Sequence, residues 1–153
     1  MAATELKTRR LFAAIFCGTL PFVSTSTARA DDVADARGQV SHIATALSAS
    51  DAADAMTPFV KTYPNYSKLR TYFAGLISAS QVVSEIDVTD EQDSKTQVDL
   101  TVHWRLTLTD LQTYYTQDRA GDINIKLVRV KGKWKIEDFE PIDLFKPAIA
   151  HVR

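Results

Sequence analysis

The sequence predicts an α+β domain in which three N-terminal helices pack on a strongly curved, mainly antiparallel four-stranded sheet. Three observations predict it. Apolar residues recur at helical spacing from Val33 to about residue 78. Beyond that point the period changes to two, most strictly in "QVDLTVHWRLTL" at residues 97–108. Short polar turns separate the alternating runs, and strands joined that way are antiparallel neighbours.

The first 30 residues stand outside this domain. "MAATELKTRR" is a basic head, and "LFAAIFCGTLPFV" is apolar but too short to cross a bilayer as a helix. "STSTARA" then ends in small residues at Ala28 and Ala30. This is the layout of a secretory signal peptide, with cleavage predicted between Ala30 and Asp31. Thr8-Arg9-Arg10-Leu11-Phe12 is similar to a twin-arginine signal, but Ala13 and Ala14 follow where a basic residue is usual. The general secretory route is therefore favoured. Cys17 follows bulky Phe16, which does not suit a lipid-anchored signal. The expected protein is periplasmic or secreted, without a membrane anchor after cleavage, with one domain over 31–147 and a tail over 148–153.

Cleavage changes the charge. The whole chain has 153 residues, 18 of them basic and 19 acidic. Lys7, Arg9, Arg10 and Arg29 leave with Glu5, so 14 basic and 18 acidic residues remain, a formal charge of −4. A mild acidic excess without a basic run gives nucleic acid no electrostatic footprint. No cysteine is left, so export does not serve disulfide formation. About 120 residues make one domain that buries roughly two thirds of its unfolded surface.

The first helix is capped by Asp31 or Asp32 and carries Val33, Ala36, Val40, Ile43, Ala44 and Leu47 on one stripe. His42 lies on the opposite side, toward solvent. A second, short helix starts near Ser50 or Asp51 and is stopped or kinked by Pro58. "TYPNYS" reads as a loop. A third helix, over about 67–78, buries Leu69, Phe73, Leu76 and Ile77, with Tyr72 at its edge.

"QVVSEIDV" is the first strand, and "DEQDSK" reads as a polar turn. In the second strand Val98, Leu100, Val102, Trp104, Leu106 and Leu108 share one face, while Asp99, His103 and Arg105 take the other. The apolar face must find the core, so the Asp–His–Arg cluster is expected on the wet outer face and not in an active site. Ile123, Ile125 and Leu127 mark a third strand. Keeping them on the Trp104 face requires pairing with an odd index sum, which sets His103 opposite Asn124 or Lys126 and Arg105 opposite Asp122 or Asn124. A fourth strand begins at Trp134. Residues 96–109 would span about 46 Å if flat, at roughly 3.3 Å per residue, against about 35 Å for a domain of this size. The strand must therefore bend, and a bent sheet has a concave side.

With this order of elements and the ending "VRVKGKWKIEDFEPIDLF", a hairpin at Lys131-Gly132 leading into Trp134-Lys135-Ile136, the chain resembles the nuclear-transport-factor-2-like (cystatin-like, SnoaL-like) superfamily over about 31–147. The resemblance implies a sheet forming a cone and frequent dimerisation through that sheet. It does not imply one activity, because the superfamily holds isomerases, dehydratases, cyclases, epoxide hydrolases and non-catalytic binding or assembly domains. Ketosteroid-isomerase-like members use carboxylates and a tyrosine in the cone; scytalone-dehydratase-like members use inward histidines. Here His42 and His103 are expected to point outward and His151 is in the tail. No metal-ligand spacing, nucleophile elbow or glycine-rich phosphate loop occurs, and no cofactor is implied.

One carboxylate remains as a catalytic candidate. A two-residue turn at Lys131-Gly132 places Leu127 opposite Ile136 and Ile125 opposite Asp138, so a regular strand points Asp138 into the cone as a general base. A β-bulge near Glu137 instead turns Phe139 inward and Asp138 out. Exposing Phe139 while burying a charge is costly, which favours the bulge. Tyr72, Trp104 and Trp134 are the candidate pocket-lining residues, with core packing the plainer role for the two tryptophans. Tyr114 and Tyr115 belong to a hairpin loop and are expected at the surface or in dimer contacts. Three functions follow. The first, favoured by an apolar inner face without a convincing acid–base set, is an exported non-catalytic domain that binds a small apolar molecule in the cone or self-associates as a homodimer through the outer sheet face. The second is a small isomerase, dehydratase or cyclase with Asp138 as base. The third is an assembly module of an envelope complex.

Overall fold

A computed structural model describes residues 26–147, with side chains from residue 28. The basic head, the arginine pair, the apolar run with Cys17, and the tail with His151 lie outside the described residues. The chain forms α1 (Ser26–Ser48), α2 (Ala52–Ala55), α3 (Tyr66–Ala79), β1 (Ser80–Asp93), β2 (Gln97–Asp110), β3 (Thr116–Val130) and β4 (Lys133–Glu140), then a 3-10 turn at Asp143–Phe145. The sheet runs β1-β2-β3-β4 with every pair antiparallel. This is the expected α+β architecture: three helices, then one curved antiparallel sheet.

The helices follow their apolar patterns. Ala36, Val40, Ile43, Ala44 and Leu47 of α1 are buried, and His42 is exposed. The helix starts ahead of Asp31, so the predicted cleavage point falls in its exposed first turns. Asp51 caps α2 by accepting the Asp54 N–H at 2.9 Å. In α3, Leu69, Phe73 and Leu76 are buried, whereas Ile77 and Tyr72 are only partly covered. Gly75 lets the C-terminal segment lie close, since a Cβ there would sit 2.6 Å from Pro147 Cγ.

Two bulges bend the sheet. Thr89 is unpaired between Val88 opposite Val102 and Asp90 opposite Thr101. Glu137 is unpaired between Ile136 opposite Leu127 and Asp138 opposite Lys126. Each extra residue bends its strand and reverses which side chains face inward beyond it. As a result "DEQDSK" is not simply a turn: β1 continues to Asp93, and past Thr89 it directs Glu91 and Asp93 toward α1. There Arg37 Nε donates to Glu91 at 2.6 Å and Arg29 Nε to Asp93 at 2.7 Å. The β3–β4 hairpin is a two-residue turn with Lys131 and Gly132 at φ 50° and 79°, the left-handed pair such turns require. The free edge of β4 is covered by a short parallel bridge, with Ile136 N–H on Pro58 O at 2.8 Å and Val60 N–H on Ile136 O at 2.9 Å.

The pairing of β2 with β3 keeps the expected odd index sum but matches neither expected register, lying one pair beyond the nearer of the two. His103 lies opposite Asp122, Trp104 opposite Gly121, and Arg105 opposite Ala120. The hairpin loop explains the offset. The Asp110 carboxylate accepts the N–H groups of Gln112 and Thr113 at 2.8 and 2.7 Å, and Asp110 N–H donates to Tyr115 O at 2.9 Å. This compact turn closes the ladder sooner than side-chain parity alone could reveal.

Candidate functional site

The concave face of the sheet is the natural place for a site, and it is occupied by side chains. Trp104, at the centre of β2, is fully buried. Its ring meets Phe139 at 5.8 Å and Phe145 at 5.3 Å, both edge to face. Phe145 in turn meets Phe73 at 5.3 Å, and Phe139 meets Phe59 at 5.4 Å. Phe59 stacks on Tyr63 at 5.8 Å. Rings from α3, β2, β4, the α2–α3 loop and the C-terminal turn thus interlock inside the cone. The Trp104 indole N–H is satisfied, donating to Ser84 Oγ at 2.8 Å.

Tyr63 closes the base of this cluster. It is 2% exposed, and its hydroxyl donates to the Phe139 carbonyl at 2.6 Å. Burial first, and then the neighbouring Glu140 charge, hold its pKa above the ordinary tyrosine value. Because the folded state holds this proton more tightly than the unfolded chain, stability is complete below about pH 10 and falls as pH rises beyond it. Tyr63→Phe should remove that alkaline slope in pH-dependent denaturation. It should also cost about 1–3 kcal/mol near neutrality, because the buried Phe139 carbonyl loses its donor.

Asp138 does not enter the cone. The Glu137 bulge resets β4 so that Phe139 pairs with Ile125 and is fully buried, while Asp138 is exposed opposite Lys126. The Asp138 carboxylate accepts the Phe139 N–H at 2.9 Å and helps hold the bulge. This is the bulge favoured on energetic grounds, in place of the regular strand that would have turned Asp138 inward: a phenyl ring gains by burial where a carboxylate loses. Asp138 is therefore not placed as a base inside the cone.

His103 and Arg105 lie on the outer face. His103 Nδ1 is 2.7 Å from Asp122 Oδ1, and Arg105 Nη2 is 3.2 Å from Glu85 Oε2. Thr107 donates to Asp118 at 2.7 Å in the next row. Tyr114 and Tyr115 stand out from the β2–β3 loop, 79% and 71% exposed. Among the described residues, no group of three or more His, Cys, Asp or Glu side chains is arranged to hold a metal ion.

The three pocket-lining candidates have separate settings. Trp104 is the centre of the core. Tyr72 sits at the edge of α3, with the Lys68 ammonium 5.6 Å from its ring centre. Trp134 lies at the rim beside α1, where it lines a cleft with Val33, Asp93 and Val98. Its indole N–H is buried and has no partner among the described residues. Phe59, Tyr63 and Phe145 escaped the sequence reading. Tyr63 lay in "TYPNYS", which has no period, and Phe145 lies beyond the last strand, where only its spacing from Ile142 hinted at an inward turn.

Solved structures of the same architecture agree with this layout. The fold is similar to that of a conserved protein from Planctomyces limnophilus (TM-score 0.67, 11% identity, covering 72% of this chain and 94% of that one). It is similar to a ketosteroid isomerase-like protein from Erwinia carotovora (TM-score 0.60, 12% identity, 71% and 93%). A third is an NTF-2 like protein of unknown function from Shewanella oneidensis (TM-score 0.53, 9% identity, 72% and 95%). No protein-family model matches the chain, and no curated protein does. The chain therefore has the nuclear-transport-factor-2-like fold. At these identities the likeness establishes the architecture and leaves the activity open.

Proposed function

We propose that the protein is an exported domain that works by association and not by catalysis, its mature chain starting at Asp31 and pairing with a second copy through the outer face of the sheet. The observation that carries this reading is the filled cone. Trp104, Phe139 and Phe145 occupy the volume where a cone-bound substrate would sit, and all three are fully buried. The outer face supports self-association. His103 and Arg105 lie at its centre, flanked by Glu85, Asp87 and Asp122, with Val83 47% exposed beside them. A two-fold axis near Arg105 sets each basic centre against the acidic flank of the other copy.

Sedimentation velocity tests this. The mature chain should sediment as a dimer at tens of micromolar, and Arg105→Glu should shift it to monomer while leaving its circular dichroism spectrum unchanged. A wild-type chain that stays monomeric into the high micromolar range overturns the proposal. A native preparation that instead carries a stoichiometric envelope protein on this face favours the assembly module.

A second reading keeps small-molecule binding but moves it from the cone to the rim. It is favoured by Trp134, whose aromatic ring lines the cleft beside α1 and whose indole N–H has no partner among the described residues.

A further inference from the structure

The rim cleft already holds a cation. Arg29 lies in the first turns of α1, ahead of the predicted cleavage point, and reaches across to the β1–β2 turn. Its Nε donates to Asp93 Oδ2 at 2.7 Å and its Nη2 to the Asp93 carbonyl at 3.3 Å. Asp93 faces this way because the Thr89 bulge reversed the last residues of β1. Ala28 and Arg29 form one wall of a cleft of about 520 Å³, with Val33, Val98 and Trp134 opposite and Lys95 at the turn. Trp134 is 4% exposed and its N–H has no partner among the described residues, in contrast to the satisfied indole of Trp104. The Arg129 guanidinium covers one face of the Trp134 ring at 4.8 Å and is tied to Asp32.

We propose that removal of residues up to Ala30 takes away the Arg29 wall of this cleft and frees Asp93, which then binds a guanidinium or ammonium group carried on a short apolar or aromatic stem. The proposal deepens the rim-binding reading and rests on cleavage after Ala30. The division of residues is what matters. Arg29 departs, while Asp93, Val33, Val98 and Trp134 remain. Arg29 marks the place a ligand cation takes, since a planar fork already meets the carboxylate and the turn carbonyl together. The stem lies on the valines and the indole ring. Lys95 disfavours polycations, so the ligand class is singly charged. An exposed ion pair of this kind contributes little alone, so binding depends on the apolar contact made with it.

Cleavage leaves the fold intact. The buried core begins at Ala36, and the pairs Asp32–Arg129 and Arg37–Glu91 hold the remaining start of α1 against the sheet. A chain made to begin at Asp31 is therefore the right material for the test.

The test is a titration of that chain with 2-phenylethylamine, following the two indole N–H signals by nuclear magnetic resonance. Trp134 should shift saturably while Trp104 stays in place. The neutral analogue 2-phenylethanol and the variant Asp93→Asn should each weaken binding about tenfold or more. A chain that keeps residues 26–30 should bind comparably weakly, because Arg29 competes within the molecule. Absence of a saturable Trp134 shift, or equal binding of amine and alcohol, overturns the cation subsite. The intact mass of the exported protein separately checks the start at Asp31. A different start with a positive titration leaves the subsite standing and overturns its link to signal removal.

Discussion

Deleting Glu137 should leave the domain unable to reach its native state. Without that residue β4 pairs regularly with β3, which turns Asp138 into the aromatic cluster and Phe139 out to solvent. Losing a buried phenylalanine costs about 3–5 kcal/mol. Burying an unpaired carboxylate in the same place adds several more. Together these approach or exceed the total stability of about 5–15 kcal/mol typical of a domain. Denaturant unfolding followed by tryptophan fluorescence is the measurement. Glu137→Ala separates the residue count from the side chain. It keeps the bulge and removes only the exposed pair with Lys126 at 3.0 Å, which solvent screens and which adds little to stability. Asp138→Ala should cost about 0.5–1.5 kcal/mol, because the Phe139 N–H loses its acceptor, still far less than the deletion. A deletion variant with wild-type stability would mean that the bulge does not decide which side chain fills the cone.

The second large effect is expected at Trp104. Trp104→Ala should destabilise the domain by about 3–5 kcal/mol, because the ring joins Phe139 to Phe145 and its space cannot fully collapse. The midpoint of urea unfolding should fall with its slope nearly unchanged. Trp104→Phe should lose less. It keeps much of the apolar area, and Ser84, partly exposed, can replace the indole N–H with water. A loss below about 1 kcal/mol for the alanine variant would place Trp104 outside a packed core.

Much of this architecture could be read from residue order. Period-2 alternation from Val98 to Leu108 fixed the inner face of β2 and sent His103 and Arg105 outward, where they lie. The stripe from Ala36 to Leu47 located the buried side of α1. Parity, however, is blind to the size of a register step, so the pairing of His103 with Asp122 waited on the Asp110 turn. It is also blind to bulges. The one at Glu137 could be argued because Asp138 and Phe139 differ so strongly in their cost of burial. The one at Thr89 could not, because the residues around it are polar on both faces and give either choice a similar energy. The rim site was hidden for the same reason: Asp93 meets Arg29 only after that bulge turns it, 64 residues away in sequence. Phe145 fills the cone from a short segment beyond the last strand, where only its three-residue spacing from Ile142 points inward.

Whether the cone is closed by its own side chains is tested most directly by nuclear Overhauser contacts within the mature chain. Cross-peaks between the Phe139 ring and the Trp104 indole are expected, with the Asp138 β-protons showing none to Trp104. Contacts from Asp138 to Trp104, with the Phe139 ring free in solvent, would contradict the filled interior and return a carboxylate to the place where catalysis could occur.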